Sequence, residues 1–273
     1  MNILDQIIAH KRKEVVERMD IYPVKLLEQS IYFNTQPVSM EQYLTRQDKT
    51  GIIAEFKRKS PSKGIINAHA SVERTSIGYM QAGASALSIL TDKNFFGGSS
   101  EDLITARKFN FCPIIRKDFI IDEYQVIEAK SIGADVILLI ALVLEPKQIR
   151  ELTSLAHSFG LEVLVEVHDR EDLEKTLEIG ADIVGVNNRN LKTFQVDINT
   201  SKMLASIIPD SITKVSESGI SSPQIILELR EYGYRGFLIG ENFMKHNHPE
   251  KAAMEFMTEL RNTESQIQRI ESV

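Results

Sequence analysis

Cysteine is nearly absent from this chain, since Cys112 is the only one in 273 residues. One thiol cannot form an internal disulfide, and its place beside Pro113 at the start of an apolar run predicts a buried side chain. Long apolar runs are also missing, and the amino terminus, MNILDQIIAHKRKEVVERM, breaks its apolar positions with charges. This pattern fits neither a secretion signal nor a membrane span, so we expect a cytoplasmic protein that does not act at a membrane.

An excess of positive charge is lacking too. The formal net charge is −6 and the isoelectric point is about 5.6, which argues against a nucleic-acid-binding protein, because such a surface needs a basic face. Any anionic ligand must therefore meet a local positive site. Apolar residues make up 42% and charged residues 26% of the chain, close to the globular average, so a sizeable core can form.

Eight short aliphatic or β-branched runs recur from residue 52 onward, each followed by a helix-like stretch. Their spacing matches the repeat of a strand plus a returning helix, and one (β/α)8 barrel typically takes about 250 residues. Residues 1–273 are therefore predicted to form a single α/β domain, a TIM barrel. The predicted strands are 52–57, 86–91, 113–118, 135–140, 162–167, 182–187, 212–217 and 236–240.

Residues 1–50 show no convincing strand pattern and are predicted to be an N-terminal helical extension packed on the barrel. Within them, residues 2–19 predict an amphipathic helix with Ile3, Ile7 and Val15 on one side. Lys11 is expected among the charged residues that face water.

Helix signals separate the predicted strands. Glu145-Pro146 and Ser222-Pro223 each place a proline in a first helical turn, and a Gly-Ala-Asp or Gly-Ala-Ser junction precedes three of the strands. An open doubly wound sheet would share this alternation. No glycine-rich dinucleotide fingerprint follows the first strand, however, so the closed barrel is favoured.

Five predicted strands end on residues able to do chemistry. The carboxyl ends of barrel strands converge on one face, so such residues would share a pocket. Glu55 and Lys57 stand two apart, point to the same side and can share a proton. The cationic loop 58–64 that follows can wrap an anion, unless it is only a solvated charged loop.

Lys117 ends the third strand, where an unpaired buried ammonium group would be costly. Burial beside other cations would lower its pKa and suit it to proton transfer, whereas the alternative is a rim lysine paired with Asp118 or Asp122.

Polar side chains also end the fifth and sixth predicted strands. Glu166 can act as a base, while Asn187 and Arg189 can hold an oxygen-rich substrate. Structural ion pairs at the barrel mouth are the alternative.

Glycines follow the last two predicted strands, in Glu217-Ser218-Gly219 and in Gly240-Glu241. At these positions, backbone amides and a short helix commonly bind phosphate in barrels of this class. Either motif alone is weak, but the two together predict a phosphate site.

Eight phrases of the sequence carry a family resemblance: IIAEFKRKSPSKG, LSILTDKNFFGGS, PIIRKDFIID, ADVILLI, LVEVHD, IVGVNNRNL, VSESGI and FLIGENFM. In this order they resemble indole-3-glycerol-phosphate synthase of tryptophan biosynthesis, from about residue 5 to residue 250. The resemblance implies a (β/α)8 carboxy-lyase that converts 1-(2-carboxyphenylamino)-1-deoxyribulose 5-phosphate into indole-3-glycerol phosphate, carbon dioxide and water. It implies an anionic phosphosugar substrate and no metal or organic cofactor.

The resemblance also implies individual roles. Lys117 is the general acid at the substrate carbonyl during ring closure, and Lys57 contacts the substrate and donates the proton for later loss of hydroxide. Glu55 orients these lysines, and Glu166 is the base that completes dehydration. The other implied contacts are Asn187, Arg189, Glu217 and Ser218 for hydroxyls and carboxylate, Phe96, Leu138 and Leu191 for the aromatic ring, and Ser60, Gly219, Gly240 and the Glu241 amide for phosphate. Some family members have a small hydroxyl residue at the position of Glu241, whose side chain is expected to point outward because it repels phosphate.

Two other functions stay open. A related barrel such as phosphoribosylanthranilate isomerase would share the phosphate site, but it is expected to use a cysteine or aspartate pair, and Cys112 lies at the wrong end of its strand. A non-catalytic phosphosugar-binding protein has no need of Lys57, Lys117 and Glu166. The two histidines of KHNHP lack other ligands at metal spacing, so no metal site is predicted, and we expect a monomer or weak homo-oligomer.

Overall fold

The computed structural model describes residues 3–191 and 193–271, and eight parallel strands within them close into a barrel. The barrel strands are β1 (Ile52–Phe56), β4 (Ala86–Leu90), β5 (Ile114–Lys117), β6 (Val136–Ile140), β7 (Glu162–Val167), β8 (Ile183–Asn187), β9 (Thr213–Glu217) and β10 (Gly236–Ile239), and a hairpin of β2 (Lys59–Ser60) and β3 (Gly64–Ile65) follows β1. The order around the barrel is β1-β10-β9-β8-β7-β6-β5-β4. This closure confirms the predicted fold class and excludes the open sheet.

Helices alternate with the strands and surround the barrel. Both predicted proline starts are found, since one helix begins at Pro146 and another at Pro223. Among the described residues, no helix has the length and apolar character needed to span a membrane. The helices are α1 (Ile3–Ile21), α2 (Val24–Leu27), α3 (Met40–Thr45), α4 (Val72–Ala82), α5 (Ser100–Phe109), α6 (Glu123–Ser131), α7 (Pro146–Ser158), α8 (Arg170–Glu174), α9 (Asn199–Ala205), α10 (Pro223–Glu231), α11 (Glu241–Met244) and α12 (Pro249–Glu271).

The apolar core has two layers separated by the barrel wall. In β1, Ile53 belongs to the cluster inside the barrel, whereas Ile52 and Ala54 belong to the cluster between strands and helices. Side chains of a strand alternate between its two faces, so Glu55 shares the inner face with Ile53. The same register places Lys117 after Ile115, Glu166 after Leu164 and Glu217 after Val215.

The N-terminal extension contacts both ends of the barrel. Helix α3 adds Met40 and Leu44 to the interior cluster, and the Glu162 carboxylate accepts hydrogen bonds from the amides of Met40 at 2.8 Å and Glu41 at 3.1 Å. Helix α1 lies at the opposite end, where Ile7 lines the cavity formed by the strand carboxyl ends.

The expectation that Lys11 faces water is wrong. Its side chain is 1% exposed, and its ammonium group lies 3.0 Å from Asp92 Oδ2 and 2.9 Å from Asp118 Oδ1. These aspartates follow β4 and β5. A periodicity rule treats lysine as a surface residue, so it misses a lysine whose carboxylate partners come from distant parts of the chain. One buried ammonium group thus ties α1 to two loops at the barrel mouth.

Candidate active site

A cavity of about 330 Å³ opens at the carboxyl end of the barrel strands. Its wall is formed by strand ends, by the loops that follow them and by the start of α1. Every residue to which the family resemblance gives a role lines this cavity, although the roles themselves stay predictions. They are Ser60, Glu55, Lys57, Phe96, Lys117, Leu138, Glu166, Asn187, Arg189, Leu191, Glu217, Ser218, Gly219, Gly240 and Glu241. Of the cationic loop 58–64, only residues 60–62 line it.

Lys117 on β5 lies between two carboxylates, one from β7 and one from β9. Its Nζ donates to Glu166 Oε2 at 2.9 Å and to Glu217 Oε2 at 2.5 Å. All three side chains are largely buried, with exposures of 12%, 5% and 2%. Asp118, considered as a rim partner for Lys117, instead contacts Lys11. The geometry therefore joins an ammonium group and two carboxylates in one hydrogen-bonded cluster.

The prediction that neighbouring cations lower the pKa of Lys117 is wrong. Burial does oppose its charge, but Glu166 and Glu217 outweigh burial and raise the pKa of Lys117 well above its ordinary value. Burial likewise opposes ionisation of Glu166, yet Lys117 and His168 hold the pKa of that carboxyl well below its usual range. Burial raises the pKa of Glu217 to about 7 against the charge of Lys117. The cluster thus holds a protonated amine, an ionised carboxylate and a carboxyl group that exchanges its proton near neutral pH.

A second lysine and carboxylate pair lies at the end of β1. Glu55 Oε1 accepts a hydrogen bond from Lys57 Nζ at 2.5 Å, and Glu55 Oε2 accepts one from Ser88 Oγ at 3.3 Å. Its charge also helps to raise the pKa of Lys117. The Glu55–Lys57 pair therefore influences the Lys117 cluster electrostatically.

Two glycines leave room for the buried carboxylates. A Cβ atom at Gly240 would lie 2.4 Å from Glu55 Oε1, and one at Gly185 would lie 2.4 Å from Glu217 Oε1. Contacts this short cannot exist, so any side chain there would displace the carboxylate. Gly240 and Gly185 therefore allow the carboxylates of Glu55 and Glu217 to lie directly against the backbone.

Asn187 has a fixed orientation beside Glu166. Its Nδ2 donates to Glu166 Oε1 at 3.1 Å, and its Oδ1 accepts from the backbone amide of Arg189 at 3.0 Å. Both ends of the side-chain amide are therefore occupied, which leaves one orientation. The contacts hold Glu166 turned toward the cavity.

The side chain of Glu241 was expected to point outward, but it reaches across the mouth of the cavity. Its Oε2 lies 3.6 Å from Arg189 Nη2 and its Oε1 lies 3.5 Å from Lys63 Nζ. The cause is electrostatic, because two loops bring cations to a side chain that the sequence could weigh only against a phosphate. The carboxylate links three loops across the mouth and remains 37% exposed.

The predicted phosphate site combines a strained turn after β9 with a short helix after β10. Ser218 and Gly219 follow β9 with φ values of 67° and 82°, and α11 begins at Glu241 directly after Gly240. A serine in the left-handed region carries backbone strain, which often accompanies function. Among the described residues, no group of three or more His, Cys, Asp or Glu side chains could hold a metal ion.

Sequence reasoning missed several residues of the site, among them three from α1 and one histidine. Ile3, Leu4 and Ile7 of α1 line the cavity, and no local pattern indicates which end of a barrel such a helix covers. His168 lies 3.3 Å from Glu166 Oε1. It stands two residues after Glu166, so strand alternation could have placed both on the same side.

Comparison of the whole sequence identifies close relatives. The model of the indole-3-glycerol phosphate synthase family matches residues 4–256. Indole-3-glycerol phosphate synthase of Bacteroides thetaiotaomicron is 49% identical over 256 residues, which are 94% of this chain and 98% of that protein. The enzyme of the same name from Acinetobacter baylyi is 42% identical over 254 residues, 93% of this chain and 94% of that protein.

Comparison of the fold reaches more distant barrels. A thiamine phosphate pyrophosphorylase from Pyrococcus furiosus aligns with a TM-score of 0.60 and 17% identity, over 82% of this chain and 98% of that one. An N-acetylmannosamine-6-phosphate 2-epimerase from Clostridium perfringens aligns with a TM-score of 0.59 and 16% identity, over the same shares of the two chains. At these identities the likeness shows the fold alone.

Proposed function

This chain belongs to the indole-3-glycerol phosphate synthase family, and from this premise we propose how its residues divide the reaction among them. The enzyme is a decarboxylating lyase of tryptophan biosynthesis. It closes the five-membered ring of 1-(2-carboxyphenylamino)-1-deoxyribulose 5-phosphate and releases carbon dioxide and water. The proposed roles rest on the position of Lys117, whose ammonium group donates hydrogen bonds to both Glu166 and Glu217 in the cavity wall.

The chemistry needs three proton transfers. Ring closure converts the substrate carbonyl oxygen to a hydroxyl group and consumes one proton. Loss of the carboxylate as carbon dioxide needs none, because the electrons of the broken bond restore the aromatic ring. Dehydration gives a second proton to the departing hydroxyl and takes one from the methylene carbon beside the nitrogen. The site must supply two acids and one base, and it takes up one proton per turnover.

Lys117 is the general acid of ring closure. Its pKa is raised by Glu166 and Glu217 in spite of burial, so it is protonated when substrate arrives. A developing alkoxide is basic enough to take that proton. Glu217, whose pKa burial raises to about 7, can return a proton to Lys117 across their 2.5 Å contact.

Lys57 donates the second proton, to the departing hydroxyl group, and Glu55 orients it through their 2.5 Å hydrogen bond. Glu166 is the base that takes the methylene proton. It is ionised and is held by Asn187 at 3.1 Å. After dehydration Glu166 returns its proton to solvent while Glu217 and Lys57 each take one up, which gives the net uptake of one proton per turnover. Ring closure thus uses Lys117 as its acid, and dehydration uses Lys57 as its acid and Glu166 as its base.

The remaining residues of the cavity hold the substrate. Asn187, Arg189, Glu217 and Ser218 meet its hydroxyls and carboxylate. Phe96, whose ring packs 5.9 Å from that of Phe119, meets the aromatic ring with Leu138 and Leu191. The phosphate group binds Ser60, Gly219, Gly240 and the backbone amide of Glu241. Fixing both ends of the substrate aligns the aromatic carbon with the carbonyl carbon, which lowers the entropic part of the barrier.

The assay for this function follows the ultraviolet absorbance and fluorescence of indole after the purified chain is mixed with the carboxyphenylamino deoxyribulose phosphate. Parallel samples with and without a chelator are both expected to produce indole. Tight binding of the substrate without any indole would contradict the synthase mechanism and favour a phosphosugar-binding protein.

Glu241→Gln is expected to strengthen binding of phosphate groups. The carboxylate of Glu241 lies beside the proposed phosphate amides and neutralises Arg189 and Lys63, at 3.6 and 3.5 Å. Removing one like charge near a phosphate dianion is expected to lower the substrate KM and the Ki of inorganic phosphate by about three- to tenfold at low salt, with kcat within about twofold. Steady-state kinetics at two ionic strengths measure the effect.

A matched control for this substitution is Glu174→Gln on α8, which removes a carboxylate paired with Arg170 at 2.6 Å outside the cavity. It is expected to leave KM and Ki unchanged. Weaker phosphate binding in Glu241→Gln would instead mean that Glu241 holds Arg189 and Lys63 in place for the substrate.

We also propose that the chain forms one domain and acts in the cytoplasm as a monomer or weak homo-oligomer, without a metal, an organic cofactor or a nucleic-acid partner. The net charge of −6 supports the last point. Light scattering across a range of protein concentrations tests the state of assembly.

A further inference from the structure

His168 lies behind Glu166, between two carboxylates. Its Nε2 is 3.3 Å from Glu166 Oε1 and its Nδ1 is 3.5 Å from Asp172 Oδ2. The ring is 9% exposed and does not line the cavity. Within residues 3–191 and 193–271, neither ring nitrogen has a hydrogen-bond partner, so both carboxylates are contacted as ion pairs. His168 therefore touches the proposed base from the side away from the substrate.

The arrangement fixes the charge of the imidazole. A neutral ring carries one N–H group and one lone pair, and a lone pair near a carboxylate is repelled. With a carboxylate 3.3 Å from one nitrogen and 3.5 Å from the other, the doubly protonated ring is favoured. The contacts with Asp172 and Glu166 outweigh burial and raise the pKa of His168 to about 9, in agreement with this geometry.

We propose that His168 is a positioning residue that acts through Glu166, keeping that side chain ionised and turned into the cavity. Two cations then hold the two oxygens, Lys117 at Oε2 and His168 at Oε1, while Asn187 also donates to Oε1. The proposal rests on the role of base given to Glu166 above.

Other charges face this group from several elements. Lys117 on β5 contacts Glu217 on β9 as well as Glu166, and the charge of Glu55 on β1 acts on Lys117. Lys175, which directly follows α8, lies 3.8 Å from Asp172 Oδ1 and 3.4 Å from Glu171 Oε1. Lys117 remains when His168 is replaced, so the ionisation of Glu166 is expected to weaken without being lost.

Two neutral replacements separate charge from hydrogen bonding. In His168→Gln the terminal amide nitrogen reaches about where Nε2 was and can donate a hydrogen bond to Glu166 without a charge, whereas the shorter amide of His168→Asn can reach only toward Asp172. We expect kcat to fall about tenfold in His168→Asn and less in His168→Gln, with KM within about threefold in both, because an opposite charge is removed near the base. The acid limb of the kcat/KM profile is expected to move to higher pH.

Carbon-13 NMR of labelled glutamate carboxyls measures the effect on Glu166 directly, with Glu166→Gln serving to assign its signal. In both His168 variants the Glu166 carboxyl is expected to begin titrating at a pH about one unit higher than in the unaltered chain. An unchanged Glu166 titration in both variants overturns the proposal. A shifted titration together with full activity of Glu166→Gln would instead contradict the role of base, and so separates the two proposals.

Two further variants distinguish loss of the His168 charge from general damage to the fold. Asp172→Asn removes the carboxylate behind His168, lets the ring become neutral, and is expected to shift the Glu166 titration in the same direction. His157→Asn is the matched control, because His157 pairs with Asp182 at 2.9 Å, is 41% exposed and does not line the cavity. It is expected to leave both the titration and kcat unchanged, and a shift in this control as large as in His168→Asn would overturn the proposal.

Discussion

Lys117→Ala is expected to lower kcat by about 10³- to 10⁴-fold while the substrate Kd stays within about tenfold. The ammonium group donates its proton when the carbonyl oxygen becomes an alkoxide, so its main contribution is made in the transition state. Its removal also leaves Glu166 and Glu217 without their common cation. Single-turnover formation of indole gives the rate, and calorimetric titration with substrate gives the Kd.

Lys214→Ala is the matched control for deleting a buried lysine. Lys214 is 5% exposed and its Nζ lies 2.9 Å from the carbonyl oxygen of Ala205, outside the cavity. This variant is expected to lose stability to heat but to keep its kcat. Equal losses of binding and turnover in Lys117→Ala would mean that Lys117 only anchors the substrate.

Glu166→Gln is expected to uncouple decarboxylation from the appearance of indole. Ring closure and loss of carbon dioxide need no base, whereas dehydration does, so carbon dioxide is expected to form faster than indole. Loss of a general base lowers the rate of its step by about 10²- to 10⁴-fold. Release of labelled carbon dioxide and indole absorbance, followed in the same reaction, measure the two steps.

Glu55→Gln is the counterpart that compares the acid side of dehydration with its base. Glu55 hydrogen-bonds to Lys57 at 2.5 Å, so its replacement is expected to slow loss of hydroxide through Lys57 and to separate carbon dioxide from indole less than Glu166→Gln does, because Lys57 itself remains. If Glu55→Gln separates the two products and Glu166→Gln does not, then Glu166 is not the base.

Strand register made much of the architecture and of the cavity predictable from the sequence. A period of two places Glu55 beyond Ile53 and Lys117 beyond Ile115, and the barrel brings such strand ends together. The closed barrel itself follows from eight strand–helix units without a glycine-rich dinucleotide fingerprint. The motifs that follow its strands also carried the family resemblance, which the comparisons confirm.

Electrostatic detail was not predictable in the same way. The pKa of Lys117, the burial of Lys11 and the direction of Glu241 all depend on charges supplied by distant loops. Periodicity describes one segment at a time and contains no information about such partners. The same limit applies to α1, whose residues line part of the cavity. The apolar pattern of a helix does not specify against which surface the helix packs.

The buried contact of Lys11 with Asp92 and Asp118 has a consequence for local unfolding. Asp92 accepts hydrogen bonds from the amides of Phe95 and Phe96, and Asp118 directly follows Lys117. If α1 separated from the barrel, Asp92 and Asp118 would lose the buried ammonium group of Lys11. The loop that carries Phe96 would then lose the contact that connects it to α1. The first helix and the mouth of the barrel therefore form one cooperative unit, whose amide hydrogens are expected to exchange together with solvent.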